Sequence, residues 1–167
     1  FIDQMATLLQ TDASGLNELA KNHQRIYPIA SRCGVFAKTD VQPLINEGAR
    51  KEDIAASIFQ AVVNQTISGL ACGKPIKGKV AFLGGPLYFL SELRQRFIET
   101  LELQDEDIIF PDNSQLFVAM GAALNAKDVE KAIPLDKLIH DLKVLKDNGT
   151  EAAHPLEPLF HNEDELR

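Results

Sequence analysis

Residues 78–101 read GKVAFLGGPLYFLSELRQRFIETL. Val80 to Leu83 form an apolar run bounded by glycines and too short for a helix, which is the pattern of a buried strand. Gly84 and Gly85 then make a turn, Pro86 suits a first helical position, and Leu87, Leu90, Leu93, Phe97 and Leu101 recur at helical spacing. A second unit of the same kind follows. DIIFPDNS (107–114) is a strand stopped by Pro111, and SQLFVAMGAALNA (114–126) is a helix whose Gly121, Ala122 and Ala123 allow close packing. Strands alternating with helices in this way indicate an α/β fold with a partly parallel sheet covered by helices.

The flanking residues read as helices around this pair. FIDQMATLLQ (1–10) puts Ile2, Met5, Leu8 and Leu9 on one stripe. No methionine precedes Phe1, so the chain reads as an excerpt beginning inside or just before a helix. Asp12 or Ser14 caps a short turn through Leu16 and Leu19, and RIYPIASRCGVFA (25–37) is expected to be extended, with a kink, around Pro28 and Gly34. The next helix is expected to start at Asp40, which leaves Pro43 among amides that have no partner anyway, and to stop at Gly48. In KEDIAASIFQAVVNQTISGLACG (51–73), Ile54, Ile58, Ala61 and Val62 form one stripe and Phe59, Val63, Ile67 and Leu70 another, which predicts a helix covered on both faces. Beyond Asn125 the composition changes. Residues 127–149 read as an amphipathic helical appendage with Leu135, Leu138, Ile139, Leu142 and Leu145 inward, and 150–167 as an acidic, proline-containing linker.

With 167 residues, 45% of them hydrophobic, the chain can bury one substantial core. A net charge of -7 and a pI near 5.1 argue against a nucleic-acid surface, which needs clustered Lys and Arg. The sequence shows neither a secretory leader nor a continuous apolar run of membrane-spanning length, so a cytoplasmic protein without a membrane partner is expected. Its two cysteines, Cys33 and Cys72, are expected to be free thiols.

Two places could carry chemistry. A strand delivering Gly84 and Gly85 to a helix start lets backbone approach a ligand closely and turns a helix dipole toward an anion, although two glycines also make a tight turn and nothing more. Cys33 in SRCGVFAKTDV (31–41) is either a buried structural cysteine or one thiolate of a metal site, and a single thiol cannot complete such a site. Cys72 reads as structural. His23 and His140 have no nucleophile pattern nearby, His154 and His161 lie in the acidic tail, and the carboxylates of LELQDEDII (101–109) read as a solvated loop.

Taken in order, FIDQMATLL, SRCGVFAKTDV, GARKEDIAASIFQAVV, VAFLGGP and Gln115 leading to GAAL at Gly121 resemble the activator ATPases of 2-hydroxyacyl-CoA dehydratases and their benzoyl-CoA reductase counterparts, in the actin, sugar kinase and Hsp70 superfamily. The resemblance implies that residues 1–126 are the C-terminal part of an actin-like, ribonuclease H-like ATPase domain that binds ATP or ADP with Mg2+, with Gly84 and Gly85 at the nucleotide. It implies that Cys33 is one ligand of a [4Fe-4S] cluster shared across a homodimer, with a dehydratase or reductase as electron acceptor. The other cluster cysteine and the phosphate-binding motifs would precede Phe1, leaving this fragment inactive by itself. The chain departs from the family pattern where PLYF replaces an expected asparagine after the double glycine, at Val118 where a glycine is common, and at Lys38 where an acid is common. A cluster-free kinase or regulatory ATPase of the same superfamily, or a non-catalytic docking module, is the alternative reading.

Overall fold

The computed structural model describes residues 1–126 and 133–148. The chain divides into two units, Phe1–Asn125 and a second beginning at Ala126. In the first unit, α1 (Ile2–Leu8), α2 (Ala13–Ala20), α3 (Gly34–Asn46) and α4 (Lys51–Ala71) precede β1 (Val80–Ala81), α5 (Gly85–Phe89), α6 (Ser91–Thr100), β2 (Ile108–Ile109) and α7 (Phe117–Asn125). In the second, α8 runs Leu135–Asn148. The linker expected at 150–167, with His154 and His161, lies outside the described residues.

The core forms around α4. Ile54, Ala55, Ile58, Phe59 and Val63 are buried, and α2 and α6 pack most extensively against this helix, with α1 and α3 beside them. Each large apolar side chain buried there contributes about 1.5–3 kcal/mol, so these few turns hold the unit together. By length and by a mean hydropathy of 1.2, α4 could cross a membrane, but a soluble core helix passes the same test. The covering expected on both faces holds only for the first half: Ile67 is half-buried and Leu70 is 80% exposed.

β1 and β2 pair in parallel, Val80 opposite Ile108 and Ala81 opposite Ile109, and the Phe82 amide donates to Ile109 O at 2.9 Å. This is the expected strand–turn–helix pair at minimal size. The helix expected from Leu87 to Leu101 is broken at Leu90, whose ψ of 90° ends α5 and starts α6. Arg94 bridges the break, donating to Leu87 O at 2.6 Å and lying over the Phe110 ring at 3.9 Å.

Capping accounts for the N-terminal half, with one correction. Asp12 caps α2, accepting from the Gly15 amide at 2.7 Å, and Gly48, at φ +76°, ends the turn after α3 as expected. α3, however, begins at Gly34 with Cys33 as its cap, so Asp40 and Pro43 lie inside the helix. The Asp40 carboxylate is used elsewhere, accepting from the Ala30 amide at 2.7 Å. Residues 24–30 form no strand. They are pinned to α4 instead: Asp53, 3% exposed, accepts from the Gln24 amide at 2.6 Å and the Arg25 amide at 3.1 Å. One turn on, Ser57 accepts from the Tyr27 amide at 2.7 Å and donates to Asp53 O at 2.6 Å.

The Gln24 amide first, then the Arg25 amide, hold the Asp53 carboxyl below its ordinary range against the opposing effect of burial. A carboxyl depressed by folding adds stability that is full above its unfolded value near ~3.9 and is lost as pH falls through the folded value. Asp53→Ala should therefore destabilise the chain at neutral pH by about 1–3 kcal/mol in urea titrations and flatten the acid limb of the stability curve below pH ~4.

Candidate functional site

Cys33 stands where the pinned segment 24–30 meets α3. Its backbone is extended (φ -149°, ψ 138°), and its sulfur accepts from the Val35 amide at 3.4 Å, so the thiol itself caps the helix. The thiol is exposed, which rules out the buried structural cysteine of the two readings. It lines a pocket of about 620 Å³ with Phe1, Gln4 and Arg32 on one side and Val62, Gln65 and Thr66 of α4 on the other. Gly34 makes the close approach possible: a Cβ there would lie 3.1 Å from Gln4 Oε1 and 3.9 Å from Phe1 Cδ2. α1, α3 and α4 thus converge on one sulfur.

Cys72 does not join it. It ends α4 in the left-handed region (φ 47°), exposed rather than buried, with its thiol donating to Gly69 O at 3.2 Å. Six residues of helical rise separate it from Thr66, about 9 Å along α4. Among the described residues no three His, Cys, Asp or Glu side chains converge as a metal site. A four-iron cluster needs four ligands, so Cys33 could fit such a cluster only as one ligand among several. His23 is committed to the Ala20 carbonyl at 2.7 Å.

Gly84 and Gly85 do not line the Cys33 pocket; they lie at the C-terminal end of β1. Gly84 is left-handed (φ +92°), as a tight turn requires. Gly85 is not, and a Cβ on either glycine would meet nothing within 4 Å. Turn geometry therefore explains one glycine, while the open space above both is what a backbone surface facing a ligand would have. The dipole expected behind them is short, because α5 is a single turn ending at Leu90. The Gly84 amide donates to Ser114 O at 3.0 Å, which ties the turn after β1 to the turn after β2. In that second turn Ser114 Oγ and Gln115 Oε1 are buried without a hydrogen-bond partner among the described residues. Ligands of parallel sheets bind beyond the carboxyl ends of the strands, where these two turns meet. Ser114 was not legible as a site residue, since a serine after a strand-ending proline reads as a helix cap.

With both cysteines exposed, native chain should titrate two thiols with a chromogenic disulfide reagent without denaturant, and Cys33→Ala one. A thiol that reacts only after unfolding would contradict the pocket described.

No family model matches the chain. It is 34% identical over 131 residues to the 2-hydroxyisocaproyl-CoA dehydratase activator of Clostridioides difficile, a match covering 78% of this chain and 47% of the relative. It is 36% identical over 85 residues to the (R)-2-hydroxyglutaryl-CoA dehydratase activating ATPase of Acidaminococcus fermentans, covering 51% and 32%. Among solved structures, component A of the A. fermentans (R)-2-hydroxyglutaryl-CoA dehydratase superimposes with a TM-score of 0.65 at 32% identity, covering 74% of this chain and 46% of that one. The 2-hydroxyisocaproyl-CoA dehydratase activator from Clostridium difficile, solved with bound ADPNP, superimposes at 0.64 with 28% identity, covering 91% and 50%. By sequence and by fold alike, this chain is a homologue of the activators of 2-hydroxyacyl-CoA dehydratases, and it spans about half the length of the curated relatives it matches.

Proposed function

We propose that this chain is part of an ATP-dependent, iron-sulfur electron donor that activates a CoA-thioester dehydratase or reductase in the cytoplasm. Residues 1–126 would form the adenosine-side half of an actin-like ATPase domain. The observation that carries the reading is the exposed Cys33 thiol, fixed by its own helix cap in the α1–α3–α4 pocket, in a chain homologous to dehydratase activators.

A [4Fe-4S] cluster supplies a one-electron donor when bound, and Cys33 would hold it as one of four thiolates, the others coming from elsewhere in a homodimer. The protein's part is positional. α3 starts close to α1 at Gly34, beside Gln4, and the cap bond from the Val35 amide orients the sulfur. A cluster carried by thiolates would also sit at the positive end of the thirteen-residue α3, which favours negative charge. At the other place, ATP or ADP with Mg2+ would lie over Gly84 and Gly85, where no side chain intervenes. Nucleotide turnover can move two subunits about a shared cluster only through a difference in affinity between two arrangements.

Anaerobic reconstitution of the full-length polypeptide should give iron and sulfide in equal amounts, and Cys33→Ala should bring both to background; an unchanged yield would refute the ligand role. Gly85→Val tests the nucleotide turn separately. Gly85 has no left-handed φ and open space around it, so, once circular dichroism and the melting temperature verify that the variant is folded despite the strain of a side chain before Pro86, ADPNP affinity in calorimetry should fall at least about tenfold, a loss of about 1.4 kcal/mol. Undiminished affinity would place the nucleotide elsewhere.

A further inference from the structure

We propose that α8 pairs in parallel with the α8 of a second copy of this chain, forming a short two-stranded coiled coil. Leu135, Leu138, Leu142 and Leu145 are spaced three, four and three residues apart, the a and d positions of two heptads. All four, expected to face inward, are between 46% and 69% exposed. What identifies the occupant is charge. With the leucines at a and d, Asp141 takes a g position and Lys146 the following e position. In a parallel pair, g of one helix faces the next e of its partner, so each Asp141 meets the other copy's Lys146 and the two bridges form symmetrically. An antiparallel pair with the same leucines in contact would bring Asp141 against Asp141. Within its own helix Asp141 accepts from Lys137 at 2.9 Å, with both side chains largely in solvent, and such a pair holds the carboxylate only weakly. Glutamate or aspartate does not otherwise enter the seam; Ile139, 42% exposed, extends the apolar face on the e side.

Two heptads make a small interface, so association should be weak and concentration-dependent. This inference rests on α8 alone, independent of Cys33 and of the nucleotide turn. The test is sedimentation equilibrium of the full chain, metal-free and in a Cys33→Ala background, which removes any association through a shared cluster. A monomer–dimer equilibrium with a Kd between about 10 μM and 1 mM is expected, tighter at low salt. Leu142→Asp should abolish it. Asp141→Lys should weaken it at least about fivefold, and the double variant Asp141→Lys with Lys146→Asp should restore it, with circular dichroism checking that helix content is unchanged. A chain monomeric up to about 1 mM, a dimer indifferent to Leu142→Asp, or a double variant no better than the single would overturn the proposal. So would a monomer whose melting temperature falls in Leu142→Asp, because the leucines would then cover the chain's own residues.

Discussion

Burial of the first three turns of α4 is the constraint from which the first unit is built. Ile54, Ile58, Phe59 and Val63 have no solvent exposure, and α1, α2, α3 and α6 all pack on this helix. The same stretch carries Asp53 and Ser57, polar groups that would be costly in such a place without partners. Their partners are backbone amides of residues 24, 25 and 27, so the cost of burying them is offset by fixing a segment that has no secondary structure of its own. That segment leads directly to Cys33. On its other flank α4 supports α6, which continues from the Gly84–Gly85 turn through α5. Both candidate sites are thus positioned from one helix.

Periodicity made the helices legible but not their coverings. The double stripe of 51–73 describes α4 well as far as Val63, while Leu70 meets solvent. An apolar stripe records which surface is suited to burial; whether a covering element exists is decided by other residues, in this chain or in another. The leucines of α8 and the exposed Val118, Met120 and Leu124 of α7 obey the same rule. At Gly121, expected to sit close to a neighbour, a Cβ would meet nothing within 4 Å.

Local rules failed where a long-range bond competed with them. Aspartate outranks cysteine as a helix cap, which favours Asp40. The Ala30 amide takes that carboxylate, and burial of Ala37 and Val41 keeps the residues on either side of Asp40 helical despite Pro43. The cap then falls to the Cys33 sulfur, a weak acceptor. Nothing in the spacing of SRCGVFA distinguishes this thiol from a buried one; the resemblance to activator ATPases did. The strand, glycine turn and helix of VAFLGGPL were legible because each step has a distinct signal, but the break at Leu90 was not, since its apolar side chain continues the helical stripe while its backbone leaves it.

In the proposed role as a cluster ligand, the Cys33 thiol would have two opposed needs: a position fixed closely enough to share a cluster, and a surface open enough to meet ligands from another source. Fixing a side chain by burying it would satisfy only the first. Here the sulfur is held through the backbone, by a cap bond to Val35, by the close approach of Gly34 to Gln4, and by the segment that Asp53 and Ser57 anchor. None of these contacts covers the thiol. The polar groups buried in α4 therefore do more than stabilise a loop: they transfer the rigidity of the core to a sulfur that remains in solvent.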